Sequence, residues 1–530
     1  MLRSICVSLL LCLGLTACVD DLQTDDEALT FIHLNDTYRV DAVEEGRHGG
    51  FSRVATLVRR LQSEGREVRI LHGGDFLYPS LESQLWHGEQ IVEAMNFLDG
   101  LAPMYVVPGN HEFDRRTPVE LIDRLAESQF DWVADNLLLE TGVSAADGKL
   151  KSGFTFESGD RTFGIVALTV HPDHGGNRRD HTPFPVGSYI DHADRVIQTF
   201  EEQGVDLVIG LTHLHLGDDL EVAKLKARYP KFLFIVGGHE HEPEYVEGTQ
   251  TSAAVMKGAS NARKIWRIDV TFGADGPSMK EQTIDIDTTI ELDNEYQIIA
   301  DKWRDRLVGV MPFLESTVGY AAVPLDGREV AVRNGDSNWG HFIVDQMRTA
   351  FRGPPSELAL VNGGTLRIDD YIAEDITFED IGRTFGFSSY LRHMTIDGAD
   401  FRWIMEAGYR GIGPSKGYFP QISGFRVCVD RNRPDGERIV QLQVPDGEGW
   451  SEIDRDRAYT VVAPDFLYRG GDGYDFASAR DVSKPGSELI YLVLDAIINT
   501  QAAGQQVGTT IDPANPRFVI LQSGQDTCFH

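Results

Sequence analysis

Apolar runs of strand length alternate with amphipathic stretches along the first half of the chain. Leu29-Thr30-Phe31-Ile32-His33-Leu34 is one such run, and it stops at the polar pair Asn35-Asp36. After it, Val54, Leu57, Val58 and Leu61 fall at i, i+3, i+4 and i+7, the apolar face of a helix. Further strands are predicted at 68–71, 103–107, 164–168, 207–211 and 232–236, several of them separated by helical stretches. That alternation predicts an α/β layered domain, in which chemistry sits on loops beyond the carboxyl ends of strands. An amphipathic helix at 291–311, with Tyr296, Ile299, Trp303 and Leu307 on one face, marks a boundary, and a second globular unit follows it.

The loops after these strands share one kind of polar residue. They read Asn35-Asp36, then Gly73-Gly74-Asp75, then Gly109-Asn110-His111-Glu112-Phe113-Asp114, then Thr212-His213, and finally Gly237-Gly238-His239-Glu240-His241. A single Asp, Asn or His after a strand is ordinarily a turn former or a cap. Five strand ends carrying carboxylate, amide and imidazole groups are the donor set of a divalent transition metal, and the absence of thiolates disfavours a structural zinc site.

The extreme N-terminus carries Arg3, an apolar stretch at 5–15 and then Leu15-Thr16-Ala17-Cys18. This stretch is too short to span a bilayer comfortably and has the order of an export signal. The Leu-Thr-Ala-Cys string resembles the lipobox of bacterial lipoproteins, which implies acylation of Cys18, a signal peptide at 1–17 and a polar tether at 18–28. Cys6 and Cys12 leave with the signal, so only Cys428 and Cys528 remain; in an oxidising compartment they can pair or stay as free thiols.

Composition narrows the partners. With 82 acidic against 49 basic residues the formal net charge is -33, which excludes a general binder of nucleic-acid polymers or of anionic membrane surfaces. A hydrophobic share of 42% supplies packed cores rather than disorder.

Taken together in this order, the ND, GGD, GNHEFD, TH and GGHEH strings resemble the calcineurin-like metallophosphoesterase domain, and in particular the 5′-nucleotidase / UDP-sugar hydrolase family. The resemblance implies an α/β fold: a four-layer metallophosphoesterase sandwich at 29–290, a linker helix at 291–312 and a second α/β substrate-binding domain at 313–526. It implies two divalent metal ions, zinc or manganese with iron as a further option. Asp75 is then the bridging ligand, with Asp36 and His241 on one metal and Asn110, His213 and His239 on the other. His111 is the implied stabiliser or proton donor of the leaving oxygen, oriented by Asp114. His33, His72 and His215 have no implied role and read as supporting residues.

One departure stands out. The usual first motif is Asp-x-His, and here Asp36-Thr37-Tyr38 puts a tyrosine at the ligand position. Tyr38 is expected as a packed aromatic. Tyr78 is a second candidate, because Gly74-Asp75-Phe76-Leu77-Tyr78 also resembles the GDxxY element of purple acid phosphatases.

The second unit carries looser resemblances to the family's substrate domain. Asn362-Gly363-Gly364-Thr365-Leu366-Arg367 resembles its NGGGIR motif, and the stretch from Arg333 to Gly340 resembles an Arg…Glu-Thr-Asn-x-Gly element with Asp336 in place of Glu. Arg333, Asn362, Gly364 and Arg367 are thereby implied in binding phosphate or ribose. Thr384-Phe385-Gly386 and Gly470-Gly471-Asp472-Gly473-Tyr474 imply Phe385 and Tyr474 as the aromatic pair that sandwiches a base.

The expected function is an exported 5′-nucleotidase, in the periplasm or held at a bacterial outer membrane by the lipid on Cys18, monomeric or dimeric, acting on a small nucleotide by in-line attack of a hydroxide shared between two metals. The alternatives are UDP-sugar or 2′,3′-cyclic nucleotide hydrolysis, the thiohydrolase of sulfur oxidation, or a non-catalytic nucleotide-binding surface lipoprotein.

Overall fold

The computed structural model describes residues 29–115, 119–137, 147–171, 188–273, 276–411, 416–447 and 449–529. The expected signal at 1–17, the tether at 18–28 and the lipidation site Cys18 lie outside the described residues. Among the described residues, no helix is long and apolar enough to cross a membrane.

Two sheets form the first domain. Its strands are β1 (Leu29–Leu34), β2 (Glu67–His72), β3 (Met104–Val106), β4 (Asp131–Val133), β5 (Leu150–Lys151), β6 (Phe154–Ser158), β7 (Arg161–Thr169), β8 (Leu207–His213), β9 (Phe232–Gly237), β10 (Glu244–Val246), β11 (Ala254–Lys257), β12 (Lys264–Gly273) and β13 (Gly276–Asp285). One sheet has the order β13-β12-β1-β2-β3-β4-β5 and the other β10-β11-β9-β8-β7-β6. Strands β1 to β5 run parallel, as do β7, β8, β9 and β11, while β12 and β13 join the first sheet and β6 and β10 the second as antiparallel partners.

The alternation along β1 shows why the sheets stack. Phe31 points between them and meets Phe163 and Phe234 with ring centroids 6.2 and 5.8 Å away. Its neighbours Ile32 and Leu34 point the other way, into a layer with Val54, Leu57, Val58 and Leu61 of the helix Phe51–Ser63 and with Met95 and Leu98 of the helix Glu89–Leu101. On the far side, Ile197 and Phe200 of the helix Tyr189–Gln203 cover the second sheet. The result is the helix, sheet, sheet, helix sandwich expected from the resemblance.

The parallel strands deliver their carboxyl ends to one edge, which is where the predicted loops gather. Several residues there are forced into left-handed backbone: Asp36 has φ 52°, Asp75 φ 59°, His239 φ 82° and His241 φ 62°. Non-glycine residues seldom adopt this region, and each such position costs on the order of 1–3 kcal/mol. Gly74, with φ 84°, has no room for a side chain, because an added Cβ would lie 2.6 Å from the amide nitrogen of Gly109.

The helix Asn294–Val310 leaves the first domain, its start capped by Asp293, whose Oδ1 accepts from the amides of Glu295 and Tyr296. Tyr296 and Ala300 pack into the first domain's helical layer. Beyond it, a four-stranded sheet in the order Leu391–Asp397, Ala458–Pro464, Leu358–Asn362, Pro420–Ser423 lies between two apolar clusters. A second small sheet includes Arg426–Val429 and Phe518–Ile520, and Cys428 is joined to Cys528 there.

The two domains are docked. Glu82 is paired with Arg383 at 2.9 Å, Asn261 donates to Asp369 at 3.0 Å, and Glu240 is paired with Lys416. Between them lies a cavity of about 760 Å³ that opens onto the strand-end loops.

Candidate active site

One half of the site is built entirely from the first domain. The ligand atoms of Asp75, His213 and His239 lie within 4.8 Å of one another. Oδ1 of Asn110 faces Nε2 of His213 at 3.2 Å and Nδ1 of His239 at 3.1 Å, and Oδ2 of Asp75 lies 3.1 Å from Nε2 of His213. Nδ1 of His213 donates to the carbonyl of Gly73 at 2.6 Å, so in the neutral ring Nε2 is a lone pair aimed at Asp75 and Asn110. Acceptor atoms that converge on one another fit a divalent cation, and this donor set is the one such a cation takes.

The other half holds Asp36, Asp75 and His241. Nε2 of His241 lies 3.2 Å from Oδ1 of Asp36. Burial alone would raise the Asp36 carboxyl, but the facing His241 outweighs it and holds Asp36 well below the usual carboxylate range. The hydroxyl of Tyr38 sits among these atoms, 3.3 Å from Asp36 Oδ1, 3.4 Å from Asp75 Oδ2 and 3.1 Å from His241 Nε2. Burial, followed by the charge of Asp75, pushes this phenol well above its ordinary value. Tyr38 is a packed aromatic, as expected, yet its polar end belongs to the site. Tyr78 does not: its hydroxyl contacts His87 at 3.3 Å and Arg115 lies over its ring.

His111 and Asp114 form the expected pair, with Nδ1 to Oδ2 at 2.7 Å. Burial lowers the affinity of His111 for a proton, while Asp114 and then Asp75 outweigh it and raise the pKa above the ordinary histidine value. The backbone amide of His111 donates to Asp75 at 2.7 Å, fixing that carboxylate against the loop.

Several supports were not predicted. Glu112 accepts from the amides of Asp75, Phe76 and Leu77 at 3.0, 2.9 and 3.0 Å, tying two strand-end loops together. Burial, reinforced by Asp75, pushes its carboxyl up to about 6. Lys257 is wholly buried against Asp219 at 2.8 Å and donates to the carbonyls of Leu214 and Gly238, beside the two histidine loops. Glu329 of the second domain lies 2.7 Å from Nδ1 of His241. Glu112 falls inside the motif that carries Asn110, His111 and Asp114, and nothing in the local pattern marks Lys257 or Glu329.

The supporting histidines are accounted for. His33 bridges the carbonyls of Leu71 and Gly237, both at 3.1 Å, and burial lowers it to about 4. His72 contacts Thr37 at 2.7 Å and accepts from the Gly74 amide, and burial lowers it to about 3. His215 lines the cavity with its ring 4.3 Å from that of His239.

Across the cavity stand the second-domain candidates. Arg333, Asn362, Gly364 and Arg367 all line it. Arg333 is held by Glu329 at 2.7 Å, and Arg367 lies over the Tyr38 ring at 4.4 Å. Nε of Arg333 and Nη2 of Arg367 are buried donors without a hydrogen-bond partner. Asn362 donates to Asp472 at 2.8 Å.

The structure places the expected aromatic pair away from the cavity. Phe385 is packed in a core cluster with Trp339 and Ile381, and Tyr474 is fully buried in another, with its hydroxyl spent on the carbonyl of Tyr418 at 2.8 Å. Neither ring lines the cavity. Phe387, two residues beyond Phe385, does so, with its ring 5.6 Å from that of His111, and Tyr418 and Phe466 line it too.

The sequence matches the family model for calcineurin-like phosphoesterases over residues 29–243 and that for the 5′-nucleotidase C-terminal domain over residues 317–479. It is 26% identical to the trifunctional nucleotide phosphoesterase protein YfkN of Bacillus subtilis, an alignment covering 88% of this chain but 33% of that protein. This chain thus spans about a third of that relative. The 5′-nucleotidase of Bos taurus is 25% identical, with 89% of this chain and 88% of that one covered. Among solved structures, the 5′-nucleotidase precursor of Thermus thermophilus superposes with a TM-score of 0.78 at 24% identity, covering 94% of this chain and 100% of that one. The sulfate thiohydrolase SoxB of Thermus thermophilus shares the fold with a TM-score of 0.71 at 15% identity, covering 95% and 98%.

Proposed function

The chain belongs to the calcineurin-like phosphoesterases that carry a 5′-nucleotidase C-terminal domain, and from that premise we propose that this metal-dependent phosphoesterase is an exported 5′-nucleotidase with a dinuclear centre. The observation that carries the reading is the arrangement across one cavity: a carboxylate, amide and imidazole donor set on one wall faces two buried arginines with unmet donors on the other. We read Asp36, Asp75 and His241 as holding one divalent ion, and Asp75, Asn110, His213 and His239 as holding the second. Zinc, manganese and iron all suit these donors. Two such ions supply an activated water and neutralise charge on the phosphoryl group.

The chain's own residues do the rest. Arg333 and Arg367 offer N–H donors to the phosphate, which converts their buried, unpartnered atoms into charge-assisted hydrogen bonds. His111, held by Asp114, stabilises the departing ribose oxygen and delivers its proton. Asn362 and Gly364 border the path of the sugar, and Phe387, Tyr418 and Phe466 offer aromatic faces to the base. This reading divides the chain into a metallophosphoesterase domain at 29–290, a linker at 291–312 and a substrate domain at 313–526. Export with an anchor at Cys18 is supported by the signal-like N-terminus and by the Cys428–Cys528 disulfide, which suits an oxidising compartment.

The test is a substrate panel crossed with a metal panel. Chelated protein is reconstituted with Mn²⁺, Zn²⁺, Co²⁺ or Fe²⁺ and assayed on AMP, UMP, UDP-glucose, a 2′,3′-cyclic nucleotide and a thiosulfonate. Fastest turnover of a nucleoside monophosphate supports the proposal. Preference for another class replaces it, and nucleotide binding without turnover on any of them identifies a binding protein.

A further inference from the structure

Glu329 is a second-domain carboxylate seated on a first-domain metal-ligand candidate. Its Oε2 lies 2.7 Å from Nδ1 of His241 and accepts from the hydroxyl of Ser260 at 2.8 Å, while its Oε1 holds Arg333 at 2.7 Å. Its backbone amide donates to Asp369 at 3.0 Å, and the other oxygen of Asp369 takes the side chain of Asn261, also at 3.0 Å. The carboxylate is therefore fixed from both domains, and both it and His241 are buried.

A neutral imidazole has one N–H. A carboxylate at Nδ1 places that proton on Nδ1 and leaves Nε2 as the lone pair, and Nε2 is the atom that faces Asp36 at 3.2 Å. The other half of the centre has no such dependence. His213 is oriented by the carbonyl of Gly73, and Asp75, Asn110, His213 and His239 all come from the first domain.

We infer that Glu329 is a positioning residue for the half-site of Asp36, Asp75 and His241, so that docking of the second domain and retention of the cation in that half-site are coupled. The inference rests on the dinuclear reading above. With Glu329 in place Nε2 of His241 is the better-aimed ligand, and a cation on Nε2 in turn strengthens the Nδ1 hydrogen bond that holds the domains together. Arg333, gripped by the same carboxylate, reaches the cavity in the same docked arrangement, so the first-domain half-site and the phosphate donors are completed together.

Equilibrium dialysis of the full-length chelated protein against Mn²⁺ tests this. Wild type is expected to bind two ions per chain. Glu329→Gln keeps the shape but removes the charge, and is expected to weaken one of the two ions about 10- to 100-fold while leaving the other unchanged; Glu329→Asp, which keeps the charge, is expected to fall between. Two ions bound by Glu329→Gln as tightly as by wild type overturns the inference. Equal weakening of both ions also overturns it, because the effect is then on the fold at large. A wild type that binds only one ion overturns the dinuclear reading instead. Amide hydrogen exchange around 326–334 reads the coupling directly: it is expected to slow when Mn²⁺ is added to wild type and not in Glu329→Gln, and exchange that ignores Mn²⁺ in wild type overturns the coupling.

Discussion

The phenol oxygen of Tyr38 lies 3.1 Å from Nε2 of His241, at the nitrogen that points to Asp36. The same oxygen is within 3.4 Å of both Asp36 and Asp75, so the residue at the position where the resemblance implies a histidine stands among the candidate ligands. Tyr38→His restores the Asp-x-His pattern with a shorter ring that leaves more room between the two carboxylates. The expected result is tighter retention of one of two divalent ions, by about tenfold or more if the added imidazole coordinates. Metal content after dialysis against a graded chelator checks this. Retention equal to or weaker than that of wild type would show that Tyr38 already serves the site as well as histidine does.

Metal loading is expected to release a proton and to depend on pH through His213. Burial alone would lower this histidine, but the facing Asp75 outweighs burial and pushes it up to about 9. A cation must displace that proton, so apparent affinity rises with pH until about 9 and is depressed about 100-fold at pH 7 relative to its limit. The metal-free protein shows the opposite sign. A histidine whose folded pKa is raised contributes stability that is complete below about 6.5 and is lost as pH climbs through about 9. Calorimetric titration in two buffers of different ionisation enthalpy reads the released proton, and thermal unfolding of the chelated protein across pH 6 to 10 reads the stability. Affinity flat with pH over that window contradicts the Asp75–His213 pairing.

The sequence makes the proposed metal wall legible because its candidate ligands follow apolar strands at one edge. Strand periodicity fixes where each loop begins, and Asp36, Asp75, Asn110, His213, His239 and His241 need only that. What lies across the cavity depends on how two domains meet, and no local pattern encodes it. Phe385 and Phe387 show the limit: both are aromatics flanking Gly386 after a helix, and a shift of two residues decides which one is core and which faces the cavity. Glu329 and Lys257 escape for a related reason. Each is an ordinary charged residue in sequence, and its meaning comes from burial against a partner 88 or 38 positions away.

Lys257 and Asp219 form an ion pair with both side chains wholly buried, and the ammonium also holds the carbonyls of Leu214 and Gly238. Lys257→Met strands the Asp219 carboxylate and frees the loop that precedes His239. The expected cost is about 3–5 kcal/mol of stability, because an uncompensated charge is left in the interior. Adding Asp219→Leu removes that charge and is expected to recover most of the stability, yet the loop carbonyls stay unheld, so metal affinity remains reduced. Denaturant unfolding and metal titration of the two single variants and the double variant separate these effects. A double variant with full metal affinity would falsify the positioning role of Lys257.

Replacing Phe387 and replacing Tyr474 are expected to fail in different ways. Phe387 lines the cavity beside His111, and a base stacked on such a ring is worth about 1–3 kcal/mol, so Phe387→Ala is expected to raise KM for a nucleoside monophosphate by roughly 5- to 150-fold. A phosphate ester without a base gives the control, and its KM is expected to stay put. Tyr474 is buried with Tyr409, Tyr459 and Phe476, and Tyr474→Ala is expected to cost about 3–5 kcal/mol of stability through the void it leaves. Its effect on KM is expected to be the same with and without a base. The measurement is a set of four KM ratios together with two unfolding curves. A base-specific KM effect at Tyr474 and none at Phe387 returns the stacking role to the GGDG-aromatic motif, and requires the second domain to rearrange when substrate binds.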